Sequence, residues 1–163
     1  MADDIRYYNL NDENFADIVV ENLTFTSRVE GLSNTGDPII LLHGFPETSR
    51  MWKDLIVILN NNDFKIVAPD QRGYSAGARP KGVDSYKIDY LAKDIIDIAN
   101  KLGFEKFHLA GHDWGSAVGW YIASAYPERL LSWVALSVPH MDAFIDAMDN
   151  DKIQKRKSSY ISF

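Results

Sequence analysis

Hydrophobic residues along this chain fall either into short continuous runs or into longer segments with helical spacing. "DPIILLHG" at 37–44 contains an unbroken run from Ile39 to Leu42, which is typical of a strand buried on both faces of a sheet. "SYKIDYLAKDIIDIANKLG" at 85–103 instead places its apolar residues three or four positions apart. That spacing predicts a helix, and Gly103 is expected to end it.

The same alternation continues on both sides of these segments. The opening "FADIVVENLTFTSRVEG" predicts an antiparallel hairpin with strands at roughly 16–22 and 24–30. Further strands are predicted at "FKIVAPD", "FEKFHLAG" and "LLSWVALSVP", and the last of them is expected to end at His140. Helices are predicted at "MWKDLIVILNN", "WGSAVGWYIASAYPERL", "HMDAFIDAMDN" and "DKIQKRKSSYISF". Strands that alternate with helices after a hairpin predict a three-layer α/β fold with a mostly parallel sheet.

Composition and charge narrow the classes of function. The chain has 163 residues, which suits one globular domain, and its net charge of -6 disfavours nucleic acid and anionic membranes as partners. It has no cysteine, which excludes disulfides, thiolate metal sites and a cysteine nucleophile. No metal or cofactor is expected. The start "MADDIRYYNL" lacks the apolar region of a secretory signal, so a cytoplasmic location is expected.

The first candidate site is "GHDWG" at 111–115, which lies where a predicted strand gives way to a helix. Gly111 and Gly115 flank Asp113 and allow the backbone to pack closely around a sharp turn, as the turn of a catalytic nucleophile requires. The backbone N–H of Trp114 would then lie at a helix N-terminus, where partial positive charge gathers. The alternative is that Asp113 only caps this helix. His112 is expected to point away from the site.

The second candidate site is "HGFPE" at 43–47, directly after the predicted strand at Ile39 to Leu42. The backbone N–H of Phe45 could form one half of an oxyanion hole, with Trp114 supplying the other half. Pro46 would stiffen the loop, and Gly44 belongs to the same motif. We expect His43 to be structural and to bond the backbone. The alternative is a plain turn between strand and helix.

Together with "PDQRGYSAGARP" at 69–80, these motifs resemble the α/β-hydrolase superfamily, and within it the branch of epoxide hydrolases and haloalkane dehalogenases. The resemblance covers roughly residues 17–163 and carries three motifs in the usual order. It implies the α/β-hydrolase fold. Arg72 is expected to organise the third motif by bonding carbonyl groups, and Gly73 to adopt an unusual backbone angle.

By this resemblance Asp113 matches a nucleophilic aspartate, and Phe45 and Trp114 match the oxyanion-hole positions. Such a carboxylate attacks a carbon that bears an epoxide oxygen or a halogen, and the resulting alkyl-enzyme ester is then hydrolysed. The expected partner is a small apolar substrate. "HGFP" resembles epoxide hydrolases more than haloalkane dehalogenases, which are the alternative.

The general base and the triad acid that the resemblance implies are not found in this chain. The family's histidine lies near the end of the chain, whereas the histidines here are His43, His108, His112 and His140. We therefore expect the chain to be truncated before the last strands, with residues 1–140 in the hydrolase core and 141–163 beginning a helical cap. Tyr160 lies where epoxide hydrolases carry a cap tyrosine, although it could equally be a surface residue.

Two expectations about the isolated chain follow. Without a base to activate water, an enzyme built on Asp113 would be weakly active or inactive. Alternatively, the chain is a non-catalytic fragment or an interaction module. In that case it would self-associate or pair with a complementary carboxyl-terminal half, because missing strands leave an exposed sheet edge.

Overall fold

The computed structural model describes residues 4–161, and its centre is a single mixed sheet of seven strands. The strands follow the order β1-β2-β3-β5-β4-β6-β7 across the sheet. Their bounds are Ile5–Leu10 (β1), Glu13–Val20 (β2), Leu23–Glu30 (β3), Pro38–Leu42 (β4), Lys65–Pro69 (β5), Phe107–His112 (β6) and Leu130–Leu136 (β7). The first three strands form an antiparallel meander, whereas β5, β4, β6 and β7 run parallel. The predicted α/β class is confirmed.

Helices on both faces complete the three layers. The helices are Lys53–Asn60 (α1), Ile88–Lys101 (α2), Trp114–Ala125 (α3), Met141–Asn150 (α4) and Lys152–Lys157 (α5). The aliphatic side chains of α2 and α3 join the larger core cluster on one face of the sheet, and Ile56 of α1 joins the smaller cluster on the other. Helices α4 and α5 follow the last strand and pack mainly against each other. Gly103 ends α2 as predicted, with a φ of 74°.

The opening of the chain contains one strand more than the predicted hairpin. Strand β1 pairs antiparallel with β2 along its whole length, from Ile5 opposite Ile18 to Leu10 opposite Glu13. Its sequence "IRYYNL" does not alternate cleanly between apolar and polar residues, because β1 is an edge strand and most of its side chains are exposed on both faces. The missing alternation explains why the pattern did not reveal it.

The prediction that the last strand ends at His140 is wrong. Strand β7 ends at Leu136, and Ser137 follows with a φ of 71°, a left-handed angle that no strand residue adopts. His140 instead caps α4: its Nδ1 accepts a 3.3 Å hydrogen bond from the backbone N–H of Asp142. The predicted final helix also ends early, since α5 stops at Lys157 and a 3-10 turn covers Ser159–Ile161. Residues 162–163 lie outside the described residues.

Parallel strands bring the candidate site residues to one edge of the sheet. Strands β4, β5 and β6 lie side by side, so the segments that follow Leu42, Pro69 and His112 leave the sheet at the same end. In α/β sheets, ligands bind at the carboxyl ends of such strands. Within residues 4–161, no helix combines the length and the apolar character needed to cross a membrane.

Candidate active site

Asp113 occupies the sharp turn between β6 and α3. Its backbone angles are φ 53° and ψ -120°, which a residue with a side chain rarely adopts. A Cβ on Gly111 would meet the carbonyl of Gly115, and a Cβ on Gly115 would meet the carbonyl of Leu42. Only glycines at these positions let the turn close against β4, which holds Asp113 above the edge of the sheet.

The Asp113 carboxylate does not cap α3. Although Asp113 occupies the N-cap position, its side chain makes no capping hydrogen bond. Its Oδ1 instead accepts a 2.9 Å hydrogen bond from the backbone N–H of Phe45, which lies 68 residues earlier in the chain. An aspartate that serves only as a cap would accept from the first turn of its own helix. The observed contact therefore argues against a purely capping role.

The loop after β4 is shaped to approach this carboxylate. A Cβ on Gly44 would collide with the Cβ and Oδ1 of Asp113 and with the backbone carbonyl of His112. Gly44 therefore allows the two loops to lie in contact. Pro46 follows Phe45 through a cis peptide bond, and the backbone N–H of Glu47 returns to the Gly44 carbonyl at 2.9 Å.

The two predicted oxyanion donors belong to residues beside Asp113 at an open surface: Phe45 donates to its carboxylate, and Trp114 follows it in the chain. Trp114 begins α3, where the first backbone N–H groups have no intrahelical acceptor and the helix dipole is positive. The side chains of Phe45 and Trp114 are 68% and 61% exposed. A cleft of about 870 Å³ lies elsewhere, beside Tyr7, Phe15 and Asn34. Asp113 itself is partly exposed to solvent.

Ser116 holds the turn together through hydrogen bonds, a role that the sequence analysis did not predict. Its side chain is fully buried, and its Oγ lies 2.5 Å from the carbonyl of Gly111 and accepts from the backbone N–H of Leu136 at 3.1 Å. The backbone N–H of Asp113 in turn donates to the Leu136 carbonyl at 3.2 Å. Ser116 thus connects the ends of β6 and β7 to the first turn of α3. Its place three residues after Asp113 was the only available signal.

His43 is buried behind the site and bonds the backbone. The backbone N–H of Gln71 donates to His43 Nε2 at 3.0 Å, so Nδ1 carries the proton and donates to the Gly44 carbonyl at 3.0 Å. Burial lowers the pKa of His43, which favours this neutral form. The Gln71 side chain donates to the His43 carbonyl at 2.5 Å. These contacts connect the loop after β4 to the loop after β5.

Tyr74 is a second residue near the site that sequence reasoning did not single out. Its ring packs edge-on against His43, with 4.6 Å between the ring centres. Burial raises the pKa of the Tyr74 phenol, and the negative charge of Asp113 raises it further. The phenol therefore stays protonated near neutral pH.

The other histidines lie in different surroundings. His108 lies in β6, where its Nδ1 is 2.8 Å from Ser132 Oγ on β7, between the two strands. His140 packs edge-on against Trp120 with 5.1 Å between the ring centres. The Nδ1 of His112 is buried and has no hydrogen-bond partner among residues 4–161.

The expectation that Arg72 bonds carbonyl groups describes only one of its contacts. Its Nε and one terminal nitrogen donate to the two carboxylate oxygens of Asp94 on α2, both at 2.7 Å, and only Nη1 bonds a carbonyl, that of Ser85. Both charged side chains are almost buried, and the planar guanidinium matches a carboxylate in this two-bond geometry. Gly73 beside it has a φ of 92°, as predicted.

Tyr160 lies in the 3-10 turn after α5, and its side chain is 69% exposed. It stays a candidate by its sequence position. In the described part of the chain, no three histidine or acidic side chains cluster in a way that could hold a metal ion.

Comparison with known proteins shows which protein family this chain belongs to. The profile of the alpha/beta hydrolase fold family matches residues 37–156. The chain is 43% identical over 128 residues to AB hydrolase superfamily protein YfhM of Bacillus subtilis, which covers 78% of this chain and 45% of that protein. It is 37% identical over 129 residues to Epoxide hydrolase 4 of Mus musculus, covering 78% of this chain and 36% of that protein. The chain belongs to the α/β-hydrolase fold family.

Solved structures agree with this assignment. The fold superimposes on an epoxide hydrolase of Bacillus megaterium in complex with an inhibitor with a TM-score of 0.78 and 33% identity, covering 96% of this chain and 50% of that one. An epoxide hydrolase from metagenomes of hot environments also gives a TM-score of 0.78, with 30% identity and coverage of 99% and 51%. The chain therefore spans about half the length of these relatives, or less.

Proposed function

We propose that this chain carries the nucleophile and the oxyanion site of an epoxide hydrolase-like enzyme that opens small apolar epoxides through a covalent ester on Asp113. The observation that carries the proposal is the exposed turn in which Asp113 leaves its helix uncapped and accepts the Phe45 N–H. The epoxide hydrolases among the relatives support the substrate class.

The hydrogen bond from Phe45 assigns the two carboxylate oxygens different roles. Because Oδ1 is held by the Phe45 N–H, Oδ2 is the oxygen that attacks an epoxide carbon. The carbon–oxygen bond of the ring breaks, and its electron pair passes to the epoxide oxygen, which then needs a proton. Tyr160 is the candidate donor. This role requires residues 141–163 to act as the start of a cap that folds over the core formed by residues 1–140.

The second step regenerates Asp113. Water attacks the ester carbonyl carbon, and negative charge develops on Oδ1. The N–H groups of Phe45 and Trp114 stabilise this oxyanion, and its collapse releases the diol and the carboxylate. The attacking water must lose a proton to a base. The chain holds no histidine after residue 140, where the family carries its base.

Without a general base, the ester on Asp113 is expected to accumulate because its hydrolysis is slow. General-base catalysis contributes about 10²–10⁴-fold, so without it the ester formed on Asp113 should persist. The isolated chain should therefore consume at most one equivalent of substrate. His140 is the last histidine in the sequence and the candidate for a substitute base. Its Nδ1, however, accepts a hydrogen bond from the backbone N–H of Asp142 at the start of α4.

The test follows product formation by purified residues 1–163 with styrene oxide as the probe. We expect at most one turnover per chain, and none for Asp113→Asn. Sustained diol formation that is lost in His140→Ala would contradict the proposal that the isolated chain lacks a general base. Halide release from a simple haloalkane, without any reaction with the epoxide, would replace the proposal with a dehalogenase.

A further inference from the structure

The peptide group that joins Gly44 to Phe45 carries the N–H that donates to Asp113. This peptide bond is trans and planar, so its N–H and the Gly44 carbonyl point in opposite directions. The groups that hold the Gly44 carbonyl oxygen therefore also set the direction of the Phe45 N–H. In this chain that N–H meets Asp113 Oδ1 at 2.9 Å.

Two donors hold the Gly44 carbonyl oxygen. The Nδ1 of His43 lies 3.0 Å from it, and the backbone N–H of Glu47 donates to it at 2.9 Å. A carbonyl oxygen has two lone pairs, so these two bonds use its full capacity. The bond from Glu47 closes a local turn, whereas the bond from His43 comes from a completely buried side chain. His43 is thus the side chain that restrains rotation of this peptide group.

Gln71 determines which nitrogen of His43 donates. Its backbone N–H donates to Nε2 at 3.0 Å, so Nε2 is the acceptor and Nδ1 carries the proton. The side-chain amide of Gln71 also donates to the backbone carbonyl of His43 at 2.5 Å. The ring of Tyr74 packs edge-on against the imidazole. These contacts restrain both the ring and the backbone of His43.

We propose that His43, oriented by Gln71, is a positioning residue for catalysis. By holding the Gly44 carbonyl, its Nδ1–H aims the Phe45 N–H at the carboxylate of the nucleophile. This role rests on the proposed function, in which Oδ1 of Asp113 is held during attack and carries the negative charge during ester hydrolysis. Because His43 is completely buried, it acts through the backbone rather than on the substrate.

Two substitutions of His43 separate the roles of its two nitrogens. The side-chain nitrogen of asparagine lies about as far along the side chain as Nδ1, so His43→Asn keeps a donor for the Gly44 carbonyl. The amide of glutamine reaches about as far as Nε2, so His43→Gln keeps an acceptor for the Gln71 N–H and loses the donor at Nδ1. The matched control is His108→Gln, near the start of β6, where the histidine bonds Ser132.

The first measurement records the amide signal of Phe45 by NMR in a chain made with isotope-labelled phenylalanine. The chain has eight phenylalanines, and Phe45→Leu identifies the signal of this position. A strong hydrogen bond to a carboxylate moves an amide proton signal downfield, so Asp113→Ala should move this signal upfield. We expect His43→Gln to move it in the same direction, and His43→Asn and His108→Gln to leave it in place.

The second measurement follows ester formation with styrene oxide by intact mass. A misplacement of about 1 Å can cost about 100-fold in rate, and we expect a loss of that order in His43→Gln. His43→Asn should retain most of the rate, and His108→Gln should retain all of it. A purely structural role would instead lower the free energy of unfolding in both His43 variants and leave the rate of the folded chain unchanged.

The two measurements separate this inference from the proposed function. If the unchanged chain forms no ester, the proposed function fails, and the Phe45 signal alone decides whether His43 aims the N–H. The inference is overturned if that signal stays in place in His43→Gln, if His43→Asn moves it equally far, or if the signal moves while the rate of ester formation is undiminished.

A second variant decides the question if His43→Gln does not fold. Gln71→Met removes the side-chain donor to the His43 carbonyl and keeps the backbone N–H that bonds Nε2. It should move the Phe45 signal upfield, because the backbone that carries the Gly44 carbonyl is then less firmly held. A signal that stays in place would overturn the inference.

Discussion

The backbone N–H of Phe45 donates a 2.9 Å hydrogen bond to Oδ1 of Asp113, and this contact joins the loop after β4 to the turn after β6. One donor thereby holds one carboxylate oxygen and leaves the other available. In the proposed chemistry, the same N–H would stabilise the negative charge on Oδ1 during hydrolysis of the ester.

Gly44 should be indispensable for this geometry. In Gly44→Ala the added methyl group collides with the Asp113 side chain, so the carboxylate must move. A displacement of about 1 Å can cost about 100-fold in rate, and we expect a loss of that order in the rate of ester formation with an epoxide, measured by intact mass.

Gly82→Ala is the control for Gly44→Ala. Gly82 has a φ of 87° and open space around it, so alanine there introduces backbone strain without contacting the site. It should lower the free energy of unfolding and leave the rate of ester formation unchanged. Equal losses of rate in both variants would show that strain, rather than the position of Asp113, matters.

Ser116→Ala should destabilise the turn through lost hydrogen bonds. The backbone N–H of Leu136 and the carbonyl of Gly111 would lose a buried partner, which costs about 1–3 kcal/mol in the free energy of unfolding by urea. Ser124→Ala, on the exposed side of the same helix, should change stability very little. A stability loss at Ser124 as large as that at Ser116 would argue against a specific role for the Ser116 network.

His43 should make folding stability depend on pH. Burial lowers the pKa of His43 in the folded chain, whereas the unfolded chain titrates near the ordinary value of about 6.5. The unfolded state therefore binds a proton first as the pH falls below about 6.5, and the free energy of unfolding decreases there. Above that pH, protonation of His43 should no longer change the free energy of unfolding.

The measurement compares the free energy of unfolding between pH 7.5 and 5.5 for the unchanged chain and two variants. His43→Gln should show a shallower decrease, whatever its absolute stability. Ser124→Ala removes no titratable group and should keep the original slope. A slope that His43→Gln leaves unchanged would contradict the assignment to His43.

Local patterns predicted the fold well, and they predicted the contacts between distant segments poorly. The continuous run at Ile39 to Leu42 and the glycines around Asp113 act within a few residues, and the structure contains the corresponding strand and turn. The bonds of Ser116 to Leu136 and of Gln71 to His43 join residues 20 and 28 positions apart. No periodicity encodes such pairs, because they arise only when the strands assemble side by side.

The error at His140 has a local origin. "SVPH" continues an apolar stretch, so the pattern extended the strand, but the left-handed angle at Ser137 ends it earlier. The main partner of Arg72 was missed because Asp94 lies 22 residues away on α2.

The identity of the nucleophile is tested most directly by mapping the covalent adduct. The purified chain is incubated with styrene oxide, and its peptides are then sequenced by mass spectrometry. The proposed chemistry predicts one equivalent of adduct, confined to the peptide that contains Asp113 and absent in Asp113→Asn. An adduct on any other residue, or a folded chain that forms no adduct at all, would contradict it.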